Sequence, residues 1–121
     1  MKKILVVDDK SSISNLLVQF LSNQYNVETK EDGLEALTWL QQGNIPDLVI
    51  TDLQMPNLDG VELIKRMKES GYFKDIPIIV LSNKDSSADR VQCLKLGAED
   101  YVVKPFNPEE LSIRIEKILL R

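Results

Sequence analysis

Five polar residues close apolar runs in this chain. Asp8 and Asp9 follow Ile4-Leu5-Val6-Val7, and Asp52 follows Leu48-Val49-Ile50-Thr51. Ser82 follows Ile78-Ile79-Val80-Leu81, and Lys104 follows Tyr101-Val102-Val103. Taken singly, an Asp in such a place is a turn residue or a helix cap. Taken together, three carboxylates, a hydroxyl and an ammonium are the parts of a phosphoryl-transfer site. Clustered carboxylates repel one another and need a cation among them. Oxygen donors without imidazole or thiolate favour a hard ion, Mg²⁺ or Mn²⁺. A carboxylate held beside such an ion and a lysine can attack phosphorus and form an acyl phosphate. Lys104 would offset charge on the transferring oxygens, and Ser82 would donate to one of them. The plainer role for Lys104 is to relieve repulsion between acids, as ion-pair networks often do.

That chemistry needs the strand ends to meet. Leu48–Asp52 is continuously apolar or β-branched up to its acid, as in a strand buried on both faces. Ile4–Val7, Ile78–Leu81 and Tyr101–Val103 read alike, while Val27–Lys30 is more polar and suits a sheet edge. Helices are predicted between them. Ser11 or Ser12 would cap the first, whose stripe is Ile13, Leu16, Leu17, Phe20 and Leu21. Leu34–Gln42 follows Asp32-Gly33, turns Ala36, Leu37 and Leu40 inward, and ends at Gly43. Val61–Ser70 buries Val61, Ile64 and Met67. A helix from about Ala88 to Leu96 is capped by Asp85 or Ser86 and closed by Gly97. The last runs from Pro108 to about Leu120, with Glu109 and Glu110 at the positive end of its dipole.

Strict strand–helix alternation implies an α/β fold with a parallel sheet and right-handed crossovers. The expected class is flavodoxin-like and doubly wound, five strands in order 2-1-3-4-5 with five helices. In that order the first, third, fourth and fifth strands are neighbours, and their carboxyl ends share one edge. The five polar residues therefore converge.

The chain has 121 residues, the size of a single domain over residues 1–121. A net charge of −4 makes it a poor ligand for nucleic acid. Cys93 is the sole cysteine, so there is no internal disulfide, which fits a reducing cytoplasm. Asp8-Asp9 cuts the first apolar run too short for a signal peptide, and no stretch is long enough to span a membrane. Histidine is absent, which removes the commonest general base.

The set Asp8-Asp9, Asp52, Met55-Pro56, Asp59-Gly60, Ser82, Gly97-Ala98, Tyr101 and Lys104-Pro105-Phe106 resembles the CheY-like receiver domain of two-component response regulators. The resemblance covers the whole chain. It implies that Asp52 takes a phosphoryl group from a sensor histidine kinase or a small phosphodonor. It implies Mg²⁺ on Asp9, Asp52 and the main-chain carbonyl of Gln54, with Asp8 placing a metal-bound water. Ser82 and Tyr101 would be the switch pair, Tyr101 swinging inward on phosphorylation, and the Lys104–Pro105 bond would be cis. Asn83 departs from the family, where Ala or Gly is usual, and puts reaction rates in question. Gln54 and Lys84 sit where the family tunes acyl-phosphate lifetime.

Two other classes are weaker. A haloacid-dehalogenase-type, Mg²⁺-dependent phosphohydrolase needs a second acid two residues after its nucleophile, and Gln54 is a neutral amide. A flavin or nucleotide binder needs a phosphate-cradling loop where Asp8-Asp9 stands.

The final helix carries a second apolar stripe, Ile113 and Leu120, beside the core-facing Leu111, Ile115 and Ile118. Arg90, Asp100, Glu110, Arg114 and Arg121 fall where OmpR/PhoB-type winged-helix regulators place the charges that pair two receivers. Leu94 and Ile113 match the apolar centre of that interface. The resemblance thus implies a phosphorylation-dependent homodimer, Arg90 facing Glu110 and Asp100 facing Arg114 across a two-fold axis. A DNA-binding effector domain would follow Arg121 and control transcription. A stand-alone receiver is the alternative.

Overall fold

Strands Leu48–Thr51 and Ile78–Ser82 are buried at every residue, so both their faces must be covered by helices. The computed structural model describes Met1–Arg121 and meets that demand. Its elements are β1 (Lys3–Val7), α1 (Ser11–Leu21), β2 (Asn26–Lys30), α2 (Gly33–Gln41), β3 (Leu48–Thr51), α3 (Gly60–Lys68), β4 (Ile78–Ser82), α4 (Ser87–Leu96), β5 (Asp100–Val103) and α5 (Pro108–Leu119). The five strands are all parallel, in the order β2-β1-β3-β4-β5. This is the doubly wound flavodoxin-like fold expected from the alternation.

Alternate residues of each strand divide between two cores. Leu5, Val7, Val49 and Val80 face α2, α3 and α4 through Leu40, Ile64, Met67 and Cys93. Ile4, Val6, Ile50 and Ile79 face α1 and α5 through Leu17, Leu21, Leu111 and Ile115. Polar β2 lies at the edge, as its composition requires. Side chains cap four helices: Asp32 on α2, Asp59 on α3, Ser86 on α4 and Asn107 on α5. Gly97, at φ +114°, ends α4 in the left-handed region where a side chain would be strained.

Three local expectations are corrected. Neither Ser11 nor Ser12 caps α1, whose N-cap is Lys10 without a side-chain bond. Ser11 is already the first helical residue, and the Ile13 and Ser14 amides donate to the Lys10 carbonyl at 3.1 and 3.2 Å. The Lys10 amide itself goes to the Asp8 carboxylate at 2.9 Å. Leu16 and Phe20 are exposed, whereas Leu17 and Leu21 are fully buried. One residue is ~100° around a helix, so the stripe is narrower than five apolar residues suggested. On α3, Leu63 is buried and Val61 only half-buried. On α5 the two stripes separate as expected, with Leu111 and Ile115 inside and Ile113 and Leu120 exposed.

Candidate functional site

The sheet carries its ladder one residue past β1, β3 and β5, and this fixes the site. Asp8 N donates to Lys30 O at 3.1 Å, Asp52 N to Val7 O at 3.0 Å and Lys104 N to Ser82 O at 2.8 Å. Three side chains from distant parts of the sequence therefore leave one edge in register.

Asp8, Asp52, Ser82 and Lys104 are all buried, and Asp9 is exposed beside them. Carboxylate oxygens of Asp8, Asp9 and Asp52 lie within 4.8 Å of one another. Lys104 Nζ stands 2.8 Å from Asp8 Oδ2 and 3.4 Å from Asp52 Oδ2. A buried charge must be paired, and here one ammonium serves two buried acids. Formally, three carboxylates against one ammonium leave two negative charges without a partner. Only oxygen donors surround them, so the donor set and the charge deficit both fit a hard divalent cation.

The two oxygens of Asp52 are differentiated. Oδ1 accepts the Leu53 amide at 2.7 Å, while Oδ2 faces Lys104. Asp8 is similarly engaged, Oδ1 with the Lys10 amide and Oδ2 with Lys104. Beside the acids lies a groove of about 500 Å³ walled by Asp9, Gln54, Met55, Asp59, Lys84 and Gln92. Gln54 and Lys84 both line it.

Backbone packing holds the loop after Asp52 close. A Cβ added to Gly60 would stand 2.1 Å from the Asp52 carbonyl oxygen, so only glycine allows that approach. Gly60 N also donates to Leu53 O at 2.8 Å.

Ser82 and Tyr101 meet through Lys84. The Lys84 amide donates to Ser82 Oγ at 3.1 Å, and Tyr101 OH donates to the Lys84 carbonyl at 2.7 Å. Burial pushes the Tyr101 phenol above its ordinary pKa, and the Ser82 hydroxyl acts in the opposite sense. The Tyr101 ring is buried. Asn83 is exposed, and the Lys104–Pro105 bond is cis.

The residues expected at a dimer surface are together on α4, β5 and α5, with Leu94 and Ile113 exposed. Their charges are already engaged within the chain. Arg114 binds its own Asp100 at 2.7 Å and its own Glu110 at 3.0 Å, and these acids hold its guanidinium above the ordinary pKa. Arg90 binds Asp85 at 2.8 Å and lies 5.6 Å from the Tyr101 ring centroid. Arg121 binds Glu99 at 2.8 Å.

Two residues near the site were not singled out from sequence. Asp32, which from sequence only precedes the second helix, is buried, and Asn57 sits at φ +65°. The signal available was Asn57 in the turn Asn-Leu-Asp-Gly, since Asn tolerates the left-handed region.

Residues 4–116 match the model of the response regulator receiver domain. The chain is 49% identical over 121 residues to a probable transcriptional regulator, ycf27, of Cyanophora paradoxa, covering 99% of this chain and 49% of that protein. It is 44% identical over 121 residues to the alkaline phosphatase synthesis transcriptional regulatory protein PhoP of Bacillus subtilis, with the same coverage of 99% and 49%. The chain spans about half the length of the curated relatives it matches. Among solved structures it is similar to the chemotaxis response regulator CheY4 of Vibrio cholerae, with a TM-score of 0.90, 35% identity and 98% of each chain covered. No helix is long and apolar enough to cross a membrane.

Proposed function

The chain belongs to the response regulator receiver domain family, and from that premise we propose that Asp52 accepts a phosphoryl group from a sensor histidine kinase. The observation carrying this reading is the buried Asp8–Lys104–Asp52 arrangement with Asp9 beside it. A carboxylate oxygen of Asp52 attacks phosphorus, and an O–P bond forms as the N–P bond to the donor imidazole breaks. The electron pair of the broken bond leaves with the imidazole. With acetyl phosphate the leaving group is acetate. Lys104 stays protonated and faces the developing charge, while Asp8 keeps it in place.

Asp9, Asp52 and the Gln54 carbonyl would hold Mg²⁺ or Mn²⁺, with Asp8 orienting a water. Such an ion, when bound, supplies positive charge at the phosphoryl oxygens. Ser82 and Tyr101 read the product out. Ser82 Oγ accepts the Lys84 amide, so its own proton can be donated to a phosphoryl oxygen, and Lys84 in turn holds Tyr101.

The output is control of transcription, in keeping with the names of the curated relatives, through an effector outside the receiver. Activated receivers pair as a symmetric homodimer through α4, β5 and α5. Arg90 and Glu110, and Asp100 and Arg114, meet across the axis around Leu94 and Ile113. The receiver itself, being acidic, does not hold DNA. The reading is tested by incubation with acetyl phosphate and Mg²⁺, followed by intact-mass measurement. One phosphoryl group per chain is expected, and none in excess chelator.

A further inference from the structure

Asp32 is a buried carboxylate, 5% exposed, that lies outside the acidic cluster. Such a group must be hydrogen-bonded. Its Oδ1 accepts the Glu35 amide at 2.9 Å, which is ordinary capping of α2. Its Oδ2 does something else. It accepts Asn57 Nδ2 at 2.7 Å, from the loop that joins β3 to α3. Next to it, Gly33 N donates to Leu58 O at 3.0 Å. A Cβ on Gly33 would come within 2.5 Å of that oxygen, so the two segments touch as backbones.

Asn57 is the one non-glycine residue with positive φ. Glycine would adopt φ +65° at less expense. What asparagine adds over glycine is the amide that Asp32 binds. The loop it belongs to begins at Asp52 and contains Gln54, and Gly60 pins its other end against Leu53 and Asp52. The acceptor loop is therefore fixed from within its own element and, separately, by a buried charge from the start of α2.

We propose that Asp32 and Asn57 are positioning residues, a clasp that holds Leu53–Asp59 so that Asp52 and the Gln54 carbonyl are pre-set for a divalent cation. The inference rests on the metal-dependent reading of the site. Loss of an outer-shell partner typically costs about 10–100-fold in metal affinity or activity. A clasp that only pre-sets the ligands acts on affinity, because the bound ion itself restores their geometry.

The test uses Asn57→Gly, which removes the clasp, relaxes the backbone and leaves the α2 cap intact. Mg²⁺ binding is measured by calorimetry, and acetyl phosphate labelling is measured against Mg²⁺ concentration. The dissociation constant and the half-saturating Mg²⁺ should both rise about tenfold, with the maximal rate nearly unchanged. A purely structural role would lower the melting temperature without moving either. Asn57→Asp, which opposes two carboxylates, should be worse still. Adding Asp32→Asn to it reverses donor and acceptor, keeps a capping residue, and should bring affinity back to within ~threefold of wild type. Unchanged Mg²⁺ affinity in Asn57→Gly, or no recovery in the double exchange, would overturn the clasp alone. A wild-type protein whose labelling ignores Mg²⁺ would overturn the reading of the site and the clasp with it.

Discussion

Tyr101 OH donates to the main-chain carbonyl of Lys84 at 2.7 Å, so the tyrosine is tied to the loop that follows Ser82. The same peptide segment takes Ser82 Oγ through its amide at 3.1 Å. One residue, Lys84, thus lies between the Ser82 hydroxyl and the Tyr101 ring.

Titration of the phenols tests that geometry. Burial raises the pKa of Tyr101, and of Tyr25, above the model phenol. The neutral form is the one the fold favours, so this contribution to stability is complete below pH ~10 and is lost as pH rises through the folded values. Absorbance at 295 nm should show two phenols ionising above the free value, and Tyr101→Phe should remove one. A Tyr101 that ionises like free phenol would mean that the ring is not inside.

Lys104 is the only cation within reach of the two buried acids. Lys104→Met should cost about 3–5 kcal/mol of stability, since it strands buried charge. Mg²⁺ should recover part of the loss by occupying the same field, while acetyl phosphate labelling stays low. Urea unfolding with and without Mg²⁺ measures both effects. A variant as stable as wild type without Mg²⁺ would show that the ammonium does not compensate the acids.

Gly60→Ala should destabilise by about 1–3 kcal/mol or more, because its methyl would overlap the Asp52 carbonyl. Gly71 is open on all sides, and Gly71→Ala should be neutral or slightly stabilising. Equal melting temperatures for the two variants would contradict the close approach at Gly60.

The proposed dimer surface needs a test that separates partners within a chain from partners across chains, because Arg114 already holds its own Asp100. Arg114→Asp and Asp100→Arg should each keep beryllofluoride-activated protein monomeric. Mixed together, they should dimerise, since the heterodimer opposes unlike charges at both symmetry-related places. Sedimentation of the mixture decides. A mixture that stays monomeric, beside an activated wild type that dimerises, would move the interface elsewhere.

Much of this was legible in the sequence. Strand order and the meeting of Asp8, Asp52 and Lys104 follow from alternation and buried runs, because parallel sheets leave few topologies. What failed was local. Leu16 and Phe20 suited a stripe by spacing, but the stripe width is set by how α1 lies on the sheet. Ser11 looked like a cap, but the helix starts one residue earlier than such a cap requires, and the Lys10 carbonyl takes the Ile13 and Ser14 amides. Ion pairing was beyond reach for a different reason. Arg114 has acids on both sides, and only coordinates tell that Asp100 and Glu110 of its own chain take it. The Asp32–Asn57 bond joins positions 25 residues apart, and no periodicity marks it.

The central claim is that phosphorus ends on Asp52. Protein labelled with acetyl phosphate and Mg²⁺ can be reduced with borohydride, which converts an aspartyl phosphate to homoserine, and then mapped by peptide mass spectrometry. The account predicts homoserine at position 52 alone and no conversion in Asp52→Asn. Conversion at Asp8, Asp9 or Asp59, or undiminished labelling of Asp52→Asn, would contradict it.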